Sequence, residues 1–165
     1  MDGGEEGRGF KAAMRESVFN GEVVRSLRAQ GAWAHKIPDL PQSMISGMRF
    51  NPEKPFDIVA FIRGKGVAIE GKQLKKYEAF GERHMRPAQI TELNKIVDSA
   101  SGRAFVFLNI RRGEAPRMNR LIVFVWERLR ERFKEGSIKK TELESLPYIE
   151  GKKGEFDLSD FMGGL

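Results

Sequence analysis

Two residue types are missing or scarce in this chain, and each absence narrows its possible chemistry. The 165 residues include no cysteine, which excludes a disulfide framework, a zinc site built on thiolates and a cysteine nucleophile. Only two histidines are present, at positions 35 and 84, and two are too few for a histidine-rich metal site. Any metal chemistry must therefore rely on carboxylate and carbonyl oxygens.

Long apolar segments are also missing. No apolar run approaches the length that spans a membrane, and the N-terminal residues lack the apolar core of a signal peptide. We therefore expect an intracellular, cytoplasmic protein with no membrane partner.

Positive charge is abundant. Lysine and arginine outnumber aspartate and glutamate by 29 to 23, giving a net charge of +6 and a pI near 9.7. This balance favours a polyanionic partner, above all nucleic acid, although a generic basic surface is the alternative. A chain of this length, with 40% hydrophobic residues, is expected to fold as one domain with its own core.

The segment 56–72 predicts a β-hairpin, because two apolar runs flank a turn that contains glycine. With the turn centred on residues 64–65, Asp57 lies opposite Lys72. Side chains two positions apart share a face of a strand. Asp57, Glu70 and Lys72 are therefore expected to project from one face, within reach of one another.

These three side chains suit a metal site. Partly buried carboxylates need a cation or hydrogen-bond donors nearby, and two converging carboxylates offer the oxygen ligands that Mg²⁺ prefers. A neighbouring lysine can polarise or orient a metal-bound water. The alternative is a structural salt bridge on a half-exposed hairpin.

The spacing of Asp57 and Glu70-Gly71-Lys72 resembles the PD-(D/E)xK nuclease signature, with Pro55 two residues before the aspartate. Many nucleases of this class carry a further acidic residue on the first helix. A helix is predicted over about 11–30, and Glu16 continues its apolar stripe. We therefore prefer Glu16 to Glu22 for that position; the alternative is that both are surface residues.

The remaining pattern predicts an α/β fold, a single domain in which helices flank a mixed central sheet of four or five strands. The resemblance to PD-(D/E)xK nucleases implies that this core is restriction-endonuclease-like. Residues 1–10 are predicted to be a flexible arm and 11–165 the nuclease domain. The proline-rich stretch 38–55 is predicted to project as a loop or stalk. Gln89, on a helix after the hairpin, is expected to face it.

With these elements in order, most of the chain resembles the RecU-type Holliday junction resolvases of Gram-positive bacteria and their phages. The segment GAWAHKIP, the motif residues, HMRPAQI and the tail GSIKKTELESLPYI carry the resemblance. Archaeal-type resolvases share the same core, so the subfamily stays open.

The resemblance implies a metal-dependent endodeoxyribonuclease that cuts four-way DNA junctions symmetrically as a homodimer, in a bacterial or phage-infected cell. Asp57, Glu70 and the Gly71 carbonyl would bind Mg²⁺, for which Mn²⁺ is expected to substitute, with Glu16 assisting. Lys72 would orient or deprotonate the attacking water, without a small-molecule cofactor. The expected DNA contacts are basic residues: Lys36, Arg49, Lys75, Lys76, Arg83, Arg86, Arg111 and Arg112.

Two other functions stay open from the sequence. One is a different nuclease on the same core, of restriction or repair type, which would cut linear or damaged duplex as well as junctions. The other is a catalytically silent DNA-binding module, in which the carboxylates and lysine affect only stability.

Overall fold

The computed structural model describes residues 6–39, 54–98, 102–114 and 116–165, with side chains from residue 16 onward. Most of the predicted 38–55 projection, including Arg49, lies outside the described residues. The first helix begins at Glu6, so residues 6–10 of the predicted flexible arm are helical. No helix within these described ranges combines the length and apolar character needed to cross a membrane.

One mixed sheet forms the centre of the fold, and helices cover both of its faces. Its six strands follow chain order, and only β3 and β4 are parallel. The α/β prediction is confirmed, with one more strand than the four or five expected. The elements are α1 Glu6–Ala29, β1 Trp33–Lys36, β2 Ile58–Ile62, β3 Lys65–Leu74, a 3₁₀ turn Glu82–His84, α2 Pro87–Asp98, β4 Arg103–Arg112, β5 Met118–Val125, α3 Trp126–Lys134, α4 Lys140–Ser145, β6 Ile149–Glu150 and α5 Ser159–Gly163.

Two apolar cores lie on opposite faces of this sheet. One packs α1 and the C-terminal segment against the sheet, around Phe19, Phe107 and Phe156. The other packs α2 and α3 against the opposite face, around Leu93 and Trp126. Because both faces are covered, β4 reads as an almost continuous apolar run instead of an alternating one.

The strands β2 and β3 pair in a register that is shifted by two residues from the one the sequence predicts. The turn between them is Arg63-Gly64, both with positive φ (51° and 78°), and Ile62 pairs with Lys65. This is the backbone conformation of a tight two-residue hairpin turn. The predicted pairing of Asp57 with Lys72 is therefore wrong. Beyond the last pair of the ladder, Ile58 with Ile69, the same register brings Asp57 opposite Glu70. A shift of two residues leaves every side chain on its predicted face.

Candidate functional site

The motif side chains of the hairpin meet residues from α1, α2 and the 38–55 stretch in one cleft of about 290 Å³. Six of the residues predicted for catalysis or DNA contact line this cleft: Glu16, Lys36, Asp57, Glu70, Lys72 and Arg86. The other lining residues are Ser17, Asn20, Asp39, Lys54 and Gln89.

Asp57 is buried, and both of its carboxylate oxygens have partners. Oδ2 accepts a hydrogen bond from the Gly71 backbone N–H at 2.9 Å, and Oδ1 lies 2.6 Å from the Lys54 ammonium. Lys54 also contacts Asp39, at 2.8 Å, so one ammonium pairs with two carboxylates. Sequence reasoning missed Lys54, because it lies in an irregular proline-rich stretch with no periodicity to show where it points.

Glu70 is the most deeply buried acid of the cleft, with 1% of its surface exposed. Its Oε1 contacts Gln89 Nε2 and lies 3.0 Å from Lys72 Nζ. Its Oε2 is buried without a hydrogen-bond partner among the described residues. Burial, and after it the negative charge of Asp57, raises the pKa of Glu70 to about 8. A buried oxygen without a partner favours protonation or an added cation.

Gln89, in the first turn of α2, links the two halves of the motif. Its Oε1 accepts hydrogen bonds from Lys72 Nζ at 3.2 Å and from the Arg86 backbone N–H at 2.9 Å. Because these donors take the oxygen, the amide nitrogen must face Glu70. The expectation that Gln89 faces the hairpin is confirmed. Its side chain holds Lys72 beside Glu70.

Glu16 and Glu22, the two candidate carboxylates of α1, lie in different surroundings. Glu16 lines the cleft and is held by the Gln73 backbone N–H; burial raises its pKa, against the opposing charge of Lys72. Glu22 is buried instead against Arg111, with 2.8 Å between Oε2 and Nη1. The location of Glu16 agrees with the preference for it, and its chemical role stays a prediction.

Gly71 lets α1 approach the motif closely. A Cβ atom built at this position would lie 1.9 Å from Asn20 Oδ1, far inside van der Waals contact. A side chain between Glu70 and Lys72 would therefore have to displace the Asn20 amide, which is buried against the motif. Gly71 thus leaves the space that the Asn20 side chain of α1 fills, one turn after Glu16 on the same helix.

The predicted DNA-contacting residues divide into separate groups. Lys36, whose Nζ donates to Ser17 Oγ, and Arg86 lie in the cleft itself. A larger open groove of about 720 Å³ begins at Gln73, directly after the motif, and four of the predicted cations line it: Lys75, Lys76, Arg111 and Arg112. Arg83 lies apart from both, in a shallow depression beside Pro87.

The donor set of the cleft fits a hard cation. Its inner carboxylates, Asp57 and Glu70, offer oxygen atoms, and Glu70 Oε2 is a buried acceptor for which the described residues supply no donor. Mg²⁺ is commonly held by one or two carboxylates together with waters and substrate phosphate. In the described part of the chain, no three His, Cys, Asp or Glu side chains are grouped so that they could hold a metal ion by themselves. An ion here would need further ligands from backbone, water or substrate.

Solved structures include chains that are similar to this one. No family model matches the chain, and no curated protein matches it. The chain is similar to the Holliday junction resolvase Hjc of the archaeal hyperthermophile Archaeoglobus fulgidus, with 20% sequence identity and a TM-score of 0.45 over 67% of this chain and 77% of that chain.

Proposed function

We propose that this protein is a Mg²⁺-dependent endodeoxyribonuclease with a PD-(D/E)xK site, and that its substrate is the four-way DNA junction. One observation carries the nuclease proposal: Asp57, Glu70 and Lys72 line a single cleft in which a buried Glu70 oxygen has no partner among the described residues. The resemblance of the sequence to RecU-type resolvases supports the choice of substrate. The basic groove beside the cleft suits a polyanion.

Asp57, Glu70 and the Gly71 carbonyl would hold the ion, with Glu16 as a further carboxylate at the rim. A bound Mg²⁺ would lower the pKa of a coordinated water and stabilise negative charge developing on the phosphate. Mn²⁺ has the same preference for oxygen ligands and is proposed to substitute.

The chain's own side chains would orient the reacting groups. Lys72 Nζ already contacts Glu70 and Gln89, and an ammonium has three donors, so one can be directed at an attacking water or a phosphate oxygen. Lys36 and Arg86, in the same cleft, would contact the phosphates on either side of the scissile bond. Hydrolysis would leave 5′-phosphate ends.

The symmetry of the substrate argues for a homodimer. A four-way junction has approximate two-fold symmetry and needs two equivalent cuts to be resolved. A C2 dimer presents two identical sites in the matching arrangement. Basic groups on both subunits would then contact the phosphate backbone and recognise shape rather than sequence.

Cleavage of a synthetic four-way junction, compared with a linear duplex of the same sequence, tests this function. We expect paired symmetric nicks in the junction only, with Mg²⁺ present, and their loss in Asp57→Asn. The matched control is Asp98→Asn, which removes an aspartate exposed on α2 and should cleave normally.

Each of the other results would point to a different function. Equal cutting of junction and duplex would keep the nuclease and reject the junction specificity, as expected for a restriction or repair enzyme. Binding without cutting across several divalent metals would mean that the carboxylates are structural and that the protein is a DNA-binding module.

Replacing Lys54 by methionine is expected to tighten binding of Mn²⁺ or Mg²⁺ at least about tenfold, equivalent to about 1.4 kcal/mol. The reason is competition, because the Lys54 ammonium lies 2.6 Å from Asp57 Oδ1, where a metal ion would compete for the same oxygen. Calorimetric titration of the metal without DNA measures the effect.

The matched control is Lys95→Met, which removes an exposed lysine paired with Glu92 and should leave the metal affinity unchanged. Weaker metal binding in Lys54→Met would contradict the prediction. It would mean that Lys54 instead holds Asp57 in its ligating position.

A further inference from the structure

The outer face of the β1–β2 pair carries an exposed group of rings. Trp33 and Phe61 are direct cross-strand partners, and each is more than half exposed, at 52% and 53%. Their ring centroids are 5.6 Å apart, and the His35 ring lies 4.5 Å from Trp33. We call Trp33, His35 and Phe61 the aromatic face. Single exposed apolar residues are ordinary, but three rings in contact form a surface that can bind.

The aromatic face lies on the same side of the sheet as the motif carboxylates. Residues two apart on a strand share a face, so Asp57, Val59 and Phe61 follow one another along one side of the hairpin. At about 3.3 Å per residue, Phe61 lies roughly 13 Å from Asp57 along the strand. At the duplex rise of about 3.4 Å per nucleotide along one strand, this separation corresponds to roughly four stacked nucleotides, and to fewer in an extended strand.

The strand segments that carry the aromatic face are free of acidic residues and have a cation beside them. Neither the segment 32–38 nor the segment 58–69 contains an aspartate or glutamate, and the turn that follows Phe61 carries Arg63. The Arg28 guanidinium contacts His35 Nδ1 at 3.1 Å and the Ala34 carbonyl at 2.7 Å. An apolar platform with a positive border is complementary to a nucleotide, which combines a flat base with a phosphate.

We propose that the aromatic face binds an unstacked nucleobase of the DNA substrate, which stacks against Trp33 and Phe61 while its phosphate contacts the neighbouring cations. This inference rests on the proposed function and extends it, since it says where a strand leaving the cleft is held. Such stacking tolerates any base, because every base has a π face. It therefore suits recognition of an open or branched point in DNA rather than of a sequence.

A second copy of the chain fits this face less well. Apposing two copies through it would bring the same cations, Arg28 and Arg63, close to each other, and like charges disfavour such a contact. A strand of a second copy is also hindered from pairing with the edge of β1, because the Ala34 carbonyl already accepts a hydrogen bond from Arg28.

Tryptophan fluorescence tests the inference directly. The chain has two tryptophans; Trp126 is 1% exposed, and its indole N–H is bonded to Asn94, so Trp33 is the residue that can respond to stacking. Titrating the full chain with single-stranded oligo(dT), in EDTA to prevent cleavage, should quench the emission. Trp33→Phe, which leaves only Trp126, should lose that quenching.

Affinity provides the second readout. Phe61→Ala should weaken oligo(dT) binding about tenfold, the effect expected for loss of one stacking partner, and should weaken binding of a four-way junction more than binding of a linear duplex. Tyr148→Ala, which removes an exposed aromatic next to Arg120, is the matched control and should bind normally. Thermal melting of each variant establishes that it is folded.

Unchanged affinity in Phe61→Ala, or the same quenching by free thymidine monophosphate at equal concentration, would overturn the inference. A dimer that dissociates in Phe61→Ala, measured by sedimentation, would show that a second copy covers this face and would equally overturn it. Because binding is measured without cleavage, its failure is separate from a failure of the nuclease proposal, which the Asp57→Asn experiment decides.

Discussion

Lys72→Met is expected to reduce junction cleavage about 10³-fold, within the range measured for removing a group that transfers or directs a proton, while junction binding is retained. Lys72 Nζ is the cation held against Glu70, at 3.0 Å, and against Gln89, at 3.2 Å. Methionine has a similar length but no donor, so the packing of the cleft is preserved while the directed charge is lost. Single-turnover cleavage and a separate binding titration measure the two effects.

Two further variants serve as comparisons for Lys72→Met. Lys95→Met removes a lysine from an exposed surface of α2 and should cleave at the wild-type rate. Gln89→Leu keeps Lys72 but removes the amide that holds it, so it should lose cleavage by a smaller factor. Wild-type cleavage by Lys72→Met would mean that the lysine only pairs with Glu70, as in a structural salt bridge.

The second large effect concerns stability and pH. The pKa of Glu70 is raised from an ordinary value of 4.5 to about 8, mainly by burial and next by Asp57. Between these two pH values the folded chain keeps a proton that the unfolded chain has lost. The free energy of unfolding of the metal-free protein should therefore fall as pH rises from about 4.5 to 8, by up to about 4 kcal/mol.

Glu70→Gln removes this ionisation and should flatten the pH dependence. The variant is expected to be more stable than the wild type at pH 8. The glutamine amide is neutral at every pH, whereas the wild-type carboxyl must either bind a proton or be buried as an anion. Urea denaturation at several pH values, in the absence of divalent metal, measures the difference. Adding Mg²⁺ should stabilise the wild type at pH 8 and have little effect on the variant, since a ligand of the folded state alone raises its stability.

Glu155→Gln, at an exposed position, is the control and should follow the wild-type curve. Parallel stability curves for wild type and Glu70→Gln would contradict the prediction and would mean that Glu70 ionises normally in the folded chain. The pH dependence of unfolding therefore tests the electrostatics of the cleft independently of cleavage.

Local sequence periodicity is sufficient to place the side chains of the hairpin on their faces. Strand side chains alternate with a period of two, so Asp57, Glu70 and Lys72 were predicted on one side even though the register was two residues off. The α/β class followed in the same way, because the apolar run of β4 indicates a strand covered on both faces. Glu16 was selected over Glu22 by its position on the apolar stripe of α1. Local periodicity carries all of these inferences.

The partners of these groups, in contrast, depend on tertiary packing. The contact between Asp57 and Lys54, the bond from Gln89 to Glu70 and the pairing of Glu22 with Arg111 join residues from separate elements or from an irregular segment. No period relates such residues, because their meeting depends on how α1 and α2 pack on the sheet. The pKa of Glu70 likewise depends on burial and on neighbouring charge, which exist only once the chain has folded around it.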